Sequence, residues 1–200
     1  AFTSVSFLSS VNAGFEVTRH ESCNALYCPG DHTINLALDW LKTVDASRRF
    51  FLWVHLYDPH QKQNARSSYI DQIKDQQGTP TIDPLGFFVQ SHGIPLNAYR
   101  DRQRLLGAMT RYDAQIRFAD DQLRRLYAFM DDKGLNRNAL WIVTADHGEG
   151  LGNHGYKGHG KYIYNEQLRV PLIFHSTAGD LNARVVPEPV QHVDLFPTLS

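Results

Sequence analysis

The chain reads as an α/β domain with a largely parallel sheet flanked by helices. Three observations predict this. Apolar runs rich in strand formers, at residues 50–56, 140–145 and 170–174, are separated by helical patterns, the alternation that lays parallel strands side by side. The run at 140–145 stops abruptly at Asp146-His147-Gly148. That is how a buried strand delivers polar side chains to the carboxyl edge of a sheet, where ligands bind in open α/β folds. Finally, apolar residues make up 42% and charged residues 20% of 200, enough for one domain with a sizeable core.

The elements follow in order. Residues 2–8 alternate apolar and polar, as a strand does. Asp31 can cap a helix whose stripe is Ile34, Leu36, Leu38, Leu41 and Val44, running to about Ser47. Residues 50–56 are almost continuously apolar, the pattern of a strand buried on both faces. Residues 61–95 are polar and broken by Gly78, Pro80, Pro84 and Gly93, and read as a surface insertion. From about residue 96 to 132 apolar residues recur at intervals near three and four, as one long helix or two, with Gly134 suited to its C-terminal cap. After the strand at 140–145 and a glycine-rich loop comes a strand at 170–174, with Pro171 placing its start or an edge there. Asp194 can cap a last helix from Leu195. The chain opens on Ala-Phe-Thr and stops just inside that helix, so both ends read as cut: one partial domain over 1–200.

The net charge of −1 offers no electrostatic case for nucleic acid or an anionic membrane, and no apolar run approaches the ~20 residues of a membrane span. Cys23 and Cys28 are too few for a disulfide framework; their spacing allows a local bridge or two free thiols.

Three clusters can carry chemistry. Asp146 and His147 pair a carboxylate with an imidazole, both ligands of divalent metals. Adjacent strand residues point to opposite faces, so the two serve one site only if the strand has ended, and Gly148 permits that. His55, Asp58 and His60 follow the strand at 50–56, and Pro59 fixes a turn that aims His60; the plain alternative is an Asp-Pro turn with a surface histidine. His154, Lys157, His159 and Lys161 sit in the glycine-rich loop. They could hold an anionic ester oxygen or protonate a leaving group, unless the loop is merely solvated.

Together, in order, the segments Phe51 to His60, Tyr112 to Leu123, Thr144 to Gly155, Gly158 to Pro171 and Gln191 to Thr198 resemble the sulfatases of the alkaline phosphatase superfamily. The resemblance implies an alkaline phosphatase-like fold and hydrolysis of sulfate monoesters, small-molecule or glycan. It implies Asp146 and His147 as metal ligands, usually for calcium and in relatives for manganese, magnesium or zinc. His60 would face the sulfate or the leaving oxygen. His159 falls where the family often has a lysine, with Lys161 close by. His55 and His154 would contact substrate. The family nucleophile, a formylglycine made in Cys-x-Pro-x-Arg or Ser-x-Pro-x-Arg, and its early Asp-Asp pair are absent from residues 1–200 and are expected upstream of residue 1. Without them the 200 residues alone are expected to be inactive. Sulfatase relatives suggest a periplasmic or extracellular location. Two other readings stay open: phosphodiesterase, phosphonate monoester hydrolase or phosphoglycerol transferase chemistry on the same fold, and a non-catalytic, degenerate domain.

Overall fold

A computed structural model describes residues 2–3, 14–18, 27–77, 98–152, 154 and 156–199. Its spine is helix α3, Ala98–Asp132, a single helix of 35 residues and roughly 52 Å in length at 1.5 Å per residue. Helices α1, Gly30–Leu41, and α2, Ser67–Gln77, both pack on it. The core lies at the α1–α3 contact, where Ile34, Leu41, Leu126, Met130 and Leu135 are buried together. α3 ends as its sequence requires. Gly134 adopts φ +66, Leu135 N–H donates to the Met130 carbonyl at 2.8 Å and Gly134 N–H to that of Asp131 at 3.0 Å. This is a Schellman cap, with the usual apolar contact made by Leu135 and Met130.

The described strands form three pairs. β1, Phe2–Thr3, lies parallel to β2, Val54–His55. β3, Leu140–Thr144, runs antiparallel to β6, Leu172–Ser176, with Leu140 opposite Ser176 and Thr144 opposite Leu172. β4, Gly150–Leu151, pairs antiparallel with β5, Lys157–Gly158. The α/β class holds, but among the described strands parallel pairing is confined to β1 and β2. A parallel neighbour needs a crossover, usually helical. Among the described residues between β3 and β6 the only helix is the four-residue α4, Asn165–Leu168, so the chain returns antiparallel.

Other expectations shift. The apolar run at 50–56 yields only the two-residue β2, and its side chains are not doubly buried: Phe51 is 72% exposed. β6 starts one residue after Pro171, which therefore precedes the ladder. Helix α1 stops at Leu41, short of Ser47. The supposed insertion carries helix α2, while its residues 78–95 lie outside the described ones, as does Cys23. Cys28 is buried and disulfide-bonded. At the last helix, α5, Leu195–Leu199, the preceding 3-10 turn His192–Asp194 is closed by a capping box, so Asp194 acts from within the first turn, accepting from Gln191 N–H at 2.8 Å.

Asp31 is not the cap of α1 either. The N-cap position is Pro29, which has no capping side chain. The orphan Gly30 N–H is satisfied by Asp58, 28 residues away, at 3.0 Å. Asp58 is 2% exposed and its second oxygen has no hydrogen-bond partner. Burial pushes its carboxyl up to about 6, against the pull of that N–H. A folded value above that of a free aspartate means the native state holds the proton more tightly than the unfolded chain. The charge penalty is absent below about pH 4, grows as pH rises and is complete above about pH 6, reaching about 3 kcal/mol. Urea denaturation across this range should therefore show the wild type losing stability relative to Asp58→Asn as pH rises from 4 to 7. A difference between the two proteins that does not change with pH would remove Asp58 from that role.

Candidate active site

Strand β3 ends at Thr144, so Asp146 and His147 lie past the end of the strand. His147 N–H donates to Asp146 Oδ1 at 3.0 Å, and the imidazole Nε2 lies 3.8 Å from Asp146 Oδ2. The ring's Nδ1–H donates to the Gly148 carbonyl at 2.8 Å, which leaves the Nε2 lone pair available. Gly148 is required by a close approach: its N–H donates to the Gln167 carbonyl at 2.7 Å, and a Cβ at this position would overlap the Glu166 carbonyl oxygen. The short helix α4 thus backs directly onto the Asp-His-Gly turn.

The second arm is the 3-10 turn Asp58–His60. Tyr57 stacks on the His60 ring with centroids 4.3 Å apart. His60 meets His159 edge-on at 4.9 Å, and His159 stacks on His147 at 4.1 Å. Three imidazoles from three segments therefore touch in series. Burial holds His60 below the usual histidine value, and the neighbouring His159 adds to this while Glu149 opposes it.

Beneath them lies Glu149, 8% exposed. It accepts from His159 Nδ1 at 3.0 Å and pairs with Lys62 Nζ at 2.7 Å. Burial pushes its carboxyl up, but the bonds and charges of Lys62 and His159 outweigh that and hold it below the ordinary glutamate value. His55 stacks face to face on Trp53 at 5.8 Å and meets Tyr57 edge-on at 6.3 Å. Burial lowers the pKa of His55, with the Asp146 carboxylate near enough to pull the other way.

The structure thus brings Asp146, His147, His60 and His159 together, with His55 at the Asp146 side. His154 and Lys161 are engaged elsewhere. His154 adopts φ 55, rare outside glycine, with its ring stacked on Tyr164 at 4.1 Å and bonded to Glu166 at 3.0 Å. Lys161 is exposed, its ammonium 5.4 Å from the centroid of the Tyr162 ring. Sequence reasoning missed Glu149 and Lys62. Lys62 had the signal of lying two residues after His60; Glu149 had only its place beside Gly148.

No group of three or more His, Cys, Asp and Glu able to hold a metal occurs among the described residues. Asp146 and His147 fit a divalent cation as two ligands of a larger set. A carboxylate suits a hard ion, and the free Nε2 leaves manganese or zinc open.

A family model described as Sulfatase matches residues 5–200. The chain belongs to the sulfatase family. This sulfatase chain is 30% identical over 172 residues to the uncharacterized sulfatase YidJ of Escherichia coli (strain K12), covering 82% of itself and 34% of that protein. It is 24% identical over 182 residues to an arylsulfatase of Clostridium perfringens (strain 13 / Type A), covering 86% and 37%. The crystal structure of YidJ from Bacteroides fragilis superposes with a TM-score of 0.70 at 20% identity, over 88% of the sulfatase chain and 37% of that one. That likeness supports the alkaline phosphatase-like α/β fold. The sulfatase chain spans about a third of the length of the curated relatives it matches, 34% and 37%.

Proposed function

We propose that these residues form the metal and leaving-group side of an enzyme that hydrolyses sulfate monoesters. The observation that carries the reading is the contact series His147–His159–His60 closing on Asp146 from three separate segments. A cation held by Asp146 and His147, calcium in most of the family, would neutralise charge on the sulfuryl oxygens. His60 and His159 stand beside that position. As the S–O bond breaks, its electron pair passes to the departing oxygen, and an imidazole N–H supplies the proton. The nucleophile, formylglycine by family resemblance, is not among residues 1–200.

The disulfide at Cys28 supports a periplasmic or extracellular setting, since such bonds persist where the environment is oxidising. Among the described residues no helix is long and apolar enough to cross a membrane. The partner is a sulfate ester.

The test uses a protein that carries these residues together with the family nucleophile. It should cleave 4-nitrophenyl sulfate faster than 4-nitrophenyl phosphate and lose activity to a chelator. His60→Ala should lower kcat about 100-fold, the usual worth of a positioned acid or base. Preference for the phosphate ester would move the assignment to phosphoryl chemistry, and an unchanged kcat in His60→Ala would take that residue out of the reaction.

A further inference from the structure

Among the described residues Glu149 is a buried carboxylate in contact with the histidine series, ion-paired through one oxygen and hydrogen-bonded through the other. Oε1 faces Lys62 Nζ at 2.7 Å and Oε2 faces His159 Nδ1 at 3.0 Å. Lys62 opens the 3-10 turn Lys62–Asn64, directly behind the turn that carries His60. One carboxylate therefore ties the loop of His60 to the loop of His159.

We infer that Glu149 is a positioning residue: it fixes which nitrogen of His159 carries the movable proton and anchors that ring against the His60 loop. The inference rests on reading His159 as part of the leaving-group side.

An ionised carboxylate can only accept, so His159 Nδ1 must donate. The neutral ring then keeps its lone pair on Nε2. Nε2 is thereby the nitrogen at which His159 takes up a proton, and from which the imidazolium gives one, while the Nδ1 proton stays with Glu149. The orienter of a catalytic histidine works in this way, and the wrong tautomer is costly even when geometry is preserved.

The arrangement makes an unusual forecast for Glu149→Gln. Lys62 has donors only. The new amide must turn its single oxygen to Lys62, which puts its NH2 group against His159 Nδ1. That nitrogen must then accept, and the ring proton moves to Nε2. Removing Lys62 as well frees the amide to turn round, so Lys62→Met combined with Glu149→Gln should restore the original tautomer. A glutamate that merely fills space predicts neither the inversion nor its reversal.

The experiment is a two-bond proton–nitrogen correlation spectrum of the 200-residue chain with 15N-histidine, at pH 8, with His159 assigned by substitution. The expected result is Nδ1–H in the wild type, Nε2–H in Glu149→Gln, and Nδ1–H again in the double variant. Nε2–H in the wild type, no change in Glu149→Gln, or no reversal in the double variant would each overturn the inference. The wild-type spectrum decides even if a variant does not fold. With the family nucleophile present, Glu149→Gln should lower kcat on 4-nitrophenyl sulfate about 10- to 100-fold with little change in KM, and the double variant should recover part of it. An unchanged kcat in Glu149→Gln also overturns the inference. A wild type with no sulfatase activity sinks the functional reading instead, and the spectrum still decides the role of Glu149.

Discussion

Asp146→Ala is expected to cost sulfate ester hydrolysis about 1,000-fold or more, because a metal supplies several kcal/mol of charge stabilisation and each 1.36 kcal/mol is tenfold in rate. The side chain of Asp146 is 78% exposed, and its hydrogen bond is to the adjacent His147 N–H. Losing it should leave the fold within about 0.5 kcal/mol of the wild type. The expected pattern is thus unusual for a site substitution: an unchanged melting temperature, a stoichiometric loss of calcium or manganese by elemental analysis, and a collapse in kcat/KM. Turnover that survives together with metal content would remove Asp146 from the ligand set. Conversely, a drop in stability that parallels the drop in rate would mean that Asp146 supports the loop and not the ion.

Gly148→Ala should act by the opposite route. The added methyl group has no free volume, since the Glu166 carbonyl oxygen already occupies it and Gln167 Cα lies 3.3 Å from the ideal Cβ position. Both are backbone, so neither can swing aside as a flexible side chain would. Relief requires the Asp-His-Gly turn to move off helix α4, breaking the 2.7 Å bond from Gly148 N–H to the Gln167 carbonyl. Overpacking of this kind costs about 1–3 kcal/mol, and losing the bond adds about 1 kcal/mol. A loss of roughly 3 kcal/mol should lower the melting temperature by about 6–12 °C in a chain of this size. Calorimetry on Gly148→Ala checks it. A melting temperature within a degree of the wild type would mean that the turn and α4 can separate freely.

What the sequence disclosed was the chemistry that local pattern encodes. Asp146 and His147 were legible because an apolar run ends on them, and His60 because Pro59 marks a turn after another apolar run. The capping glycine of α3 was legible because the period of three and four ends at Phe129 and Gly134 follows just after the helical pattern. What escaped depends on tertiary contact. Glu149 looks like any acid in a polar loop until Lys62 and His159 are brought to it. Asp58 looks like a turn residue, yet it caps a helix 28 positions earlier. Helix α2 is polar enough to pass for a loop, and is fastened by Tyr69, whose ring meets Phe118 at 5.4 Å and whose hydroxyl donates to Asp121 at 2.9 Å. The strand at 50–56 was overread because apolar content was equated with burial. Only Val54 and His55 found a ladder partner among the described residues.

The Lys62–Glu149 pair has a consequence in time. Its members stand on opposite sides of the 35-residue helix α3 in the chain, and so do His60 and His159. Contacts so remote in sequence cannot reward the closing of the intervening loop until both ends exist, so they belong to the late part of folding. During synthesis the turn with His60 and Lys62 leaves the ribosome first, and waits without its counter-charge while α3 follows. The helical layer can assemble in that interval. The histidine series cannot, because His159 leaves the ribosome only after the whole of α3.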